Sequence, residues 1–347
     1  MSTWPGSSHD DEDDAPRAIS TSEVNELVEH LHGRSVNAAL AMTAALADEG
    51  VPLADILTGL VGPAQAEIGE RWYRNDYSVA DEHAATSVAD TVVALLSSHE
   101  DRPAPAGPHV VALCAEGEWH TMALRITAQV LELDGLEVSF LGASVPSGDL
   151  ARFIVRTSPD VVVLSCSTPL AFDGVLAAVE VVHQAGLPVV AGGRALGTDE
   201  RRAHALGIDH WAATAAAGVS LVRSAVGGPL RVPTANAGAA RALALDRPRL
   251  VNDALAGLAK GFPQLADYSP LQLQRTREDI EYIVRFAEAS ILVDDVRVFD
   301  EFISWLGPLL SCRNVAAAAL DTSLALLRDN VDGPRAELFD RAHGSTA

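Results

Sequence analysis

The stretch HVVALCAEGEWHTMALRI, residues 109–126, decides the fold of this chain. It begins with a short apolar run, passes through a polar loop and continues as an amphipathic segment. Similar apolar runs, each separated from the next by an amphipathic stretch, are LEVSFLG (136–142), DVVVLSCS (160–167), LPVVAGG (187–193) and IDHWAA (208–213). Continuous apolar strands that alternate with helices form parallel sheets covered on both faces. Residues 107–226 are therefore predicted to form a doubly wound α/β domain.

The residues before this domain have a helical pattern. Apolar side chains recur at three and four positions, as in VNELVEHL (24–31), and this spacing places them on one face of a helix. Four helices separated by short breaks are predicted over residues 21–100, the third of them over Leu53–Trp72. They would form a small four-helix bundle, here called the cap. Residues 1–20 are acidic, and we expect them to be disordered.

The residues after the α/β domain contain no strand pattern, and residues 239–347 are predicted to form a second all-helical domain. Its predicted helices are Ala239–Leu245, Arg249–Lys260, Leu271–Ala289, Val296–Pro308 and Asn314–Asn330. The expected architecture is thus multidomain: a four-helix bundle, a doubly wound α/β domain and a C-terminal all-α domain.

Composition excludes several classes of function. The formal charge of −22 opposes phosphate binding, and no helix-turn-helix signature is visible, so DNA is not expected as a partner. No apolar run approaches the roughly 18 residues of a membrane span, and the N-terminus does not resemble a signal peptide. The three cysteines match no disulfide or zinc spacing, which favours the reducing cytoplasm. No nucleophile has a convincing base beside it, so we do not expect an enzyme.

The loop after the first strand, EGEWH (116–120), carries the first candidate site. Ligands bind at the carboxyl ends of the strands in open α/β sheets, so this loop would face a crevice. A histidine next to carboxylates suits a metal ligand whose second ring nitrogen is held by an oxygen acceptor. The glycine-rich phosphate fingerprint is absent, which argues against a dinucleotide. Taken alone, the loop is also compatible with a solvent-exposed histidine.

Two further motifs change the interpretation of this loop. Together, EWHTMA (118–123), SCS (165–167) and GG (192–193) resemble the cobalamin-binding domain. The resemblance implies that His120 is the lower axial ligand of cobalt and displaces the dimethylbenzimidazole base, whose tail enters a slot beside the sheet. One departure is Ala123, where the family usually has glycine. The residues that the resemblance assigns to cobalamin in this domain are Glu118, His120, Ser165, Ser167, Gly192 and Gly193.

The cap carries a second motif in RWYRNDYSVADEH (71–83). Trp72, nine intervening residues and then Glu82-His83 resemble the adenosylcobalamin-dependent photoreceptors, in which these side chains surround the adenosyl group. A tryptophan offers a flat wall, and a carboxylate can accept a hydrogen bond from a ribose hydroxyl. Tyr73 stands where DNA-binding members carry a second histidine, which puts a bis-histidine light adduct in doubt. The alternative is a core tryptophan with a surface Glu-His pair.

The C-terminal domain resembles the globin-like domain of the photocobilins, which bind biliverdin beside cobalamin. A linear tetrapyrrole needs an apolar cleft and cations for its propionates. The candidate residues for the bilin are Arg275, Arg277, Tyr282, Arg285, Trp305 and Arg313. The alternatives are a solvated arginine face and an ordinary helical core, in a domain that mediates oligomerisation or partner binding.

These resemblances imply a light sensor of the photocobilin type. Photolysis of adenosylcobalamin would change the oligomeric state of a homo-oligomer or its contacts with a downstream protein partner. The alternative function is a corrinoid methyl-carrier protein that serves a methyltransferase and uses the same fold and lower histidine. A radical mutase would need a large substrate barrel, which no segment offers.

Overall fold

The computed structural model describes residues 17–99, 104–313 and 315–343. Most of the predicted acidic tail, residues 1–16, lies outside the described residues. The described chain forms two compact units. Residues 17–70 and 78–99 make up the first unit, and residues 71–77 belong with the remainder of the chain in the second unit.

The first unit is helical, as predicted. Its helices are α1 (Thr21–His32), α2 (Val36–Asp48), α3 (Leu53–Ile56), α4 (Gly62–Tyr73, whose last residues belong to the second unit) and α5 (Val79–His99). Helix α1 begins with a capping box, in which Ser20 accepts from the backbone N–H of Glu23 and donates its own backbone N–H to the Glu23 carboxylate. Hydrogen bonds from the backbone N–H and the hydroxyl of Ser20, and from Arg17, lower the pKa of the Glu23 carboxyl to about 2.

The third predicted helix is interrupted by a π-helical turn at Leu57–Val61. Pro63 has no amide hydrogen to donate to the carbonyl of Gly59, four residues earlier, so the α-helical ladder cannot continue unchanged. The backbone N–H of Gly62 bonds instead to the carbonyl of Leu57, five residues earlier. The predicted continuous helix from Leu53 to Trp72 was therefore wrong at this point.

The second unit is built on a parallel sheet. Its strands are β1 (His109–Ala115), β2 (Glu137–Val145), β3 (Val161–Ser165), β4 (Val189–Gly192) and β5 (His210–Ala212), in the spatial order β2-β1-β3-β4-β5. The helices that connect and follow them are α6 (Met122–Leu133), α7 (Ser147–Thr157), α8 (Phe172–Gln184), α9 (Arg201–Ala205) and α10 (Ala215–Ala225). The doubly wound α/β prediction is confirmed, and the order of strands reverses between β1 and β3.

The inner strands β1, β3 and β4 are buried on both faces, which explains why they are almost entirely apolar. Side chains alternate along β1: Val111 and Leu113 enter the core on one face, together with Phe172 of α8. Val110 and Ala112 enter the core on the other face, together with residues of α6 and α10. Successive residues of a strand point to opposite faces, so a strand covered on both sides needs apolar residues at every position.

The C-terminal residues are helical, as predicted, with α11 (Ala237–Gly261), α12 (Pro270–Val293), α13 (Arg297–Cys312), α14 (Ala317–Asp329) and α15 (Pro334–His343). The predicted break at Pro248 was wrong, because α11 continues through this proline. Leu243 before it and Leu250 after it are buried in one core, and this packing offsets the lost hydrogen bond. Helix α13 likewise continues through Pro308. Helix α15 was not predicted.

The C-terminal helices share a core with the sheet domain. Leu292 and Val298 are buried in the same cluster as β1 and α8. The guanidinium of Arg202 on α9 is buried and donates to Asp295 at 2.9 Å and to Glu301 at 2.7 Å. Buried charges are retained only when they are paired and hydrogen-bonded, so this contact fixes the position of α13 on the sheet domain.

Candidate functional site

The loop EGEWH follows β1 at the carboxyl edge of the sheet, next to the point where the strand order reverses. Glu118 is fully buried in this loop. One carboxylate oxygen accepts from Nδ1 of His120 at 2.6 Å and from its backbone N–H at 2.9 Å. The other oxygen accepts from the backbone N–H groups of Ser167 at 2.6 Å and Thr168 at 2.9 Å. Glu118 therefore ties the loop after β1 to the loop after β3.

These hydrogen bonds decide the charge of Glu118. Burial by itself would raise the pKa of Glu118, but the hydrogen bonds from His120 and Ser167 outweigh it and hold this pKa below its ordinary value. An ionised Glu118 accepts a proton-bearing Nδ1, so Nε2 of His120 carries the lone pair that can ligate a metal. The side chain of His120 is 69% exposed although its carboxylate partner is fully buried.

The donor set fits a cofactor that brings most of its own metal ligands. The described residues hold no cluster of three or more His, Cys, Asp or Glu side chains that could form a metal cage. An exposed imidazole oriented by a buried carboxylate could supply one ligand to a metal whose other ligands come with the cofactor. The residue types around His120 thus fit cobalamin better than a bare metal ion.

Ser165 and Gly192 lie side by side at the carboxyl ends of neighbouring strands, because Ser165 pairs with Gly192 in the sheet. The packing of the protein's own backbone also requires glycine at both positions of this pair. A Cβ on Gly193, which has a φ of 112°, would lie 2.3 Å from the carbonyl oxygen of Cys166. A Cβ on Gly192 would lie 2.9 Å from the carbonyl oxygen of Ala212. These glycines are required even without a ligand in the slot.

Glu82 and His83 lie on α5 in the first unit. Nε2 of His83 is 3.4 Å from Oε2 of Glu82, and the His83 side chain is 75% exposed. The hydroxyl of Thr86, one turn further along α5, lies 3.1 Å from Oε1 of Glu82. The predicted Glu-His pair is thus present on one helix, with its carboxylate held on one side.

Trp72 belongs to the segment Arg71–Tyr77, which is part of the second unit. Its ring stacks on Trp305 of α13 with centroids 6.1 Å apart, and the guanidinium of Arg313 lies 5.2 Å from the Trp72 ring centroid. Tyr73 also stacks on Trp305, at 5.6 Å, and donates its hydroxyl to the Trp305 carbonyl. Trp72, predicted to face cobalamin, therefore meets two residues that were predicted to face a bilin.

The other predicted bilin residues do not line one cavity. Arg277 donates to Asn252 at 2.9 Å on the surface, and the guanidinium of Arg285 lies over the ring of Tyr282. Arg275 is exposed. Among the six candidates, Arg285 lines a cavity of about 490 Å³ between α8, α11 and α12.

Several residues around these sites are not indicated by the sequence pattern. The backbone N–H of Thr168 holds Glu118, but a backbone donor leaves no trace in the residue type. Arg241, Arg247 and Glu288 line the same cavity as Arg285. Burial raises the pKa of Glu288 to about 7, against the opposing effect of Arg247 at 2.8 Å. In the sequence, these charged residues are marked only by apolar residues that recur every three or four positions around them. That spacing indicates a buried helix face but does not indicate a cavity.

Family models match two parts of the chain. The model described as B12 binding domain matches residues 108–220, and a second model with the same description matches residues 24–97. The first match contains the Glu118–His120 loop, and the second falls on the helices of the first unit. The chain therefore carries a B12-binding domain, and cobalamin is the class of cofactor that this domain defines.

The chain is also similar to two transcriptional repressors of Myxococcus xanthus. It is 34% identical to the HTH-type transcriptional repressor CarH over 142 residues, which are 39% of this chain and 46% of that protein. It is 36% identical to the HTH-type transcriptional repressor CarA over 93 residues, which are 26% of this chain and 32% of that protein. The chain thus spans less than half the length of either relative. Because both are named as transcriptional repressors, the expectation that DNA is no partner is not supported.

Solved structures of corrinoid proteins resemble the chain more distantly. The monomethylamine corrinoid protein of Methanosarcina barkeri has 16% identity and a TM-score of 0.49, with 59% of this chain and 99% of that chain covered. A cobalamin-binding protein of Desulfitobacterium hafniense DCB-2 has 23% identity and a TM-score of 0.32, with 59% and 98% covered. Likenesses of this size do not bear on function.

Among the described residues, no helix is both long enough and apolar enough to span a membrane.

Proposed function

We propose that this protein is a light sensor that binds adenosylcobalamin. The observation that carries the proposal is the buried carboxylate of Glu118 behind the exposed ring of His120, within a B12-binding domain. The similarity to the repressors CarH and CarA supports a regulatory role over a metabolic one. The location in the cytoplasm stays a prediction, which the three unpaired cysteines support.

The proposed roles of the residues follow from their positions and chemistry. His120 would ligate the cobalt of cobalamin through Nε2, and Glu118 holds the tautomer and the orientation of its ring. Ser165 and Ser167 offer polar groups to the displaced nucleotide tail, next to Gly192-Gly193. In the cap, Trp72 and the Glu82-His83 pair are proposed to surround the adenosyl group. Adenosylcobalamin, when bound, supplies a photolabile Co–C bond.

We further propose that the C-terminal helices bind biliverdin, as in a photocobilin. Two features support this. One is the aromatic cluster of Trp72, Tyr73 and Trp305 under Arg313. The other is the cavity lined by Arg241, Arg247 and Arg285, whose guanidinium groups suit carboxylates such as propionates. Arg275, Arg277 and Tyr282 remain candidates on the surface of α12.

The proposed output is a change in self-association or in contacts with a protein partner, and the chain is proposed to signal without catalysing a reaction. Loss of the adenosyl group removes a ligand that contacts cap residues, and a ligand shifts a conformational equilibrium by its differential contacts with the two states. A homo-oligomer whose state depends on light would satisfy this account.

The test is reconstitution of the full chain with adenosylcobalamin in the dark, followed by green light. We expect the absorption spectrum to change on illumination and the molar mass from light scattering to change with it. Binding without any change in mass, alone or with a candidate partner, would contradict the sensor. Biliverdin added to the same sample is expected to give a far-red band, and the absence of that band would refute the bilin proposal alone.

The methyl-carrier alternative makes a different prediction. A carrier would prefer methylcobalamin and would not need Trp72 or Glu82. We expect Trp72→Ala and Glu82→Ala to weaken binding of adenosylcobalamin or to alter its photolysis. If both variants behave like the parent chain, the carrier becomes the better account.

A further inference from the structure

The hydroxyl of Thr86 lies between two acceptors in the first unit. Its Oγ1 is 2.9 Å from Oε1 of Gln65 on α4 and 3.1 Å from Oε1 of Glu82 on α5. A threonine hydroxyl has a single proton to donate, so it cannot serve both oxygens. A hydrogen bond to a carboxylate is the stronger of the two, so the proton belongs with Glu82.

The amide of Gln65 has an unsatisfied hydrogen-bond donor. Its Nε2 is buried and finds no hydrogen-bond partner within the described part of the chain. A buried donor left without a partner costs about 1–3 kcal/mol. The oxygen and nitrogen of a glutamine amide exchange places on rotation by half a turn, and their assignment follows from the surrounding network. Turning this amide places Nε2 next to Oγ1 of Thr86, where it can donate.

One rotation therefore frees the Thr86 proton for Glu82 and gives Nε2 of Gln65 an acceptor, and it moves the amide oxygen into the position that has no partner. In the resulting chain, Nε2 of Gln65 donates to Oγ1 of Thr86, and Oγ1 of Thr86 donates to Oε1 of Glu82. We infer that Gln65 and Thr86 are positioning residues that anchor Oε1 of Glu82 and direct its Oε2 toward the ligand. This inference rests on the proposed binding of adenosylcobalamin and concerns the recognition of its ribose.

The geometry suits a hydroxyl-bearing ligand. Oε2 of Glu82 lies beside the exposed ring of His83, so the anchored side of the carboxylate faces the bundle and the other side faces outward. A glutamate side chain has three rotatable bonds, and holding one oxygen in place lowers the entropy that ligand binding must remove. A carboxylate with one oxygen held and one presented can accept a hydrogen bond from a ribose hydroxyl.

Stability alone does not account for these two residues. Gln65 and Thr86 are half-buried where α4 faces α5, beside Ala64, Ile68 and Ala85, which are fully buried. Replacing both partners of a half-buried hydrogen bond by apolar groups of the same shape is nearly neutral. The hydrogen bonds from Gln65 through Thr86 end on Glu82, the carboxylate predicted to bind the ligand. They are better explained by the orientation that they impose on this carboxylate.

The test compares two cobalamins on the full chain. Thr86→Val removes the hydroxyl and keeps the shape, and Gln65→Leu removes the amide. We expect Thr86→Val to weaken the binding of adenosylcobalamin about tenfold, because the hydrogen bond to the Glu82 carboxylate is lost. Gln65→Leu is expected to weaken it less, because the Thr86 hydroxyl can still donate to Glu82. Methylcobalamin has no ribose above the corrin, and its affinity is expected to stay within about twofold. Thr86→Ser keeps the hydroxyl and is expected to restore the parent affinity.

Thr91→Val is the matched control. Thr91 lies on the same helix, and its hydroxyl donates to the backbone carbonyl of Ser87, so this variant removes a helix-internal contact only. It is expected to leave both affinities unchanged. Equal weakening for both cobalamins in Thr86→Val would show a structural role, and an unchanged affinity for adenosylcobalamin would show no role; either result overturns the inference. Failure of the parent chain itself to bind adenosylcobalamin would instead refute the proposed function, and the inference with it.

Discussion

Oε1 of Glu118 accepts two hydrogen bonds from the same residue, one from Nδ1 of His120 at 2.6 Å and one from its backbone N–H at 2.9 Å. The ring and the main chain of His120 are thus held by one atom. Because the other oxygen of Glu118 is bound by the loop after β3, the orientation of the imidazole is set by two strands of the sheet. A ligand that binds Nε2 meets a ring that is already in place.

Removing this carboxylate charge tests the arrangement. In Glu118→Gln, an NH₂ group faces backbone or ring N–H donors on one side, so the four hydrogen bonds cannot all form. We expect cobalamin affinity to fall about 10- to 100-fold, the usual cost of losing a group that orients a metal ligand. Titration followed by visible absorption measures it. Glu116→Gln in the same loop is exposed and serves as the control; equal affinities for both variants would contradict the role of Glu118.

Gly193 is expected to be irreplaceable for reasons of backbone geometry. Gly193→Ala would place a Cβ 2.3 Å from the carbonyl oxygen of Cys166 at a φ of 112°. We expect the free energy of unfolding to fall by about 3 kcal/mol, as measured by urea unfolding without cofactor. Gly148→Ala on α7, where a Cβ meets no atom within 4 Å, is expected to cause no loss. A Gly193→Ala chain as stable as its parent would show that the glycine serves the ligand alone.

Arg202→Met tests the contact between the sheet domain and α13. Methionine replaces the aliphatic stem of Arg202 but has no guanidinium, so the buried carboxylate of Asp295 loses its contact with Arg202. Loss of one partner from a buried ion pair costs about 3–5 kcal/mol of unfolding free energy, although Arg297 still contacts Asp295 and reduces the loss. Thermal or urea unfolding measures the change. The neighbouring Arg201 is exposed, and Arg201→Met should leave stability unchanged; a similar loss in both variants would refute the specific role of Arg202.

Glu288 gives stability a dependence on pH. Burial raises the pKa of this carboxyl to about 7, above the value of about 4 in an unfolded chain. The folded chain therefore binds more protons at Glu288 between these values, so the contribution of this group to stability is full below about pH 4 and is lost as pH rises through about 7. Glu288→Gln should remove about 2 kcal/mol of this fall, measured as the difference in unfolding free energy between pH 5 and pH 8.

Glu281→Gln provides the comparison for Glu288. Glu281 lines the same cavity and lies 3.9 Å from Arg247, and its side chain is 46% exposed. Its negative charge contributes to the raised pKa of Glu288, but burial is the larger cause, so we expect this variant to keep most of the pH dependence of the parent. If Glu288→Gln keeps it as well, another group is responsible for the slope.

Periodicity was sufficient to predict the helices of the first unit and the strands of the second, because one-sided and two-sided burial leave different patterns of apolar residues. It could not predict the π-helical turn at Leu57–Val61 or the continuity of α11 through Pro248. Those outcomes depend on how a shifted backbone hydrogen bond or the packing of nearby side chains offsets a missing amide hydrogen. The loop with Glu118 and His120 could be found because its residue types carry the chemistry.

Contacts between residues far apart in the chain could not be predicted from the local sequence. Trp72 and Trp305 were predicted for two different cofactors, and nothing in their local sequence indicates that their rings stack. The reason for Gly193 was likewise only partly predicted: a glycine pair suggests close approach, but the approaching atom is the carbonyl of Cys166, which only the folded backbone brings near.

The buried guanidinium of Arg202 limits how such a protein can be recombined. Domain boundaries fall in linkers between compact units, and residues 227–236, which join α10 to α11, form such a junction. A sheet domain joined there to a foreign partner would have to hydrate or neutralise a cation that Asp295 and Glu301 now satisfy. Any successful chimera at this junction must therefore replace Arg202 as well, or carry α13 across with the sheet.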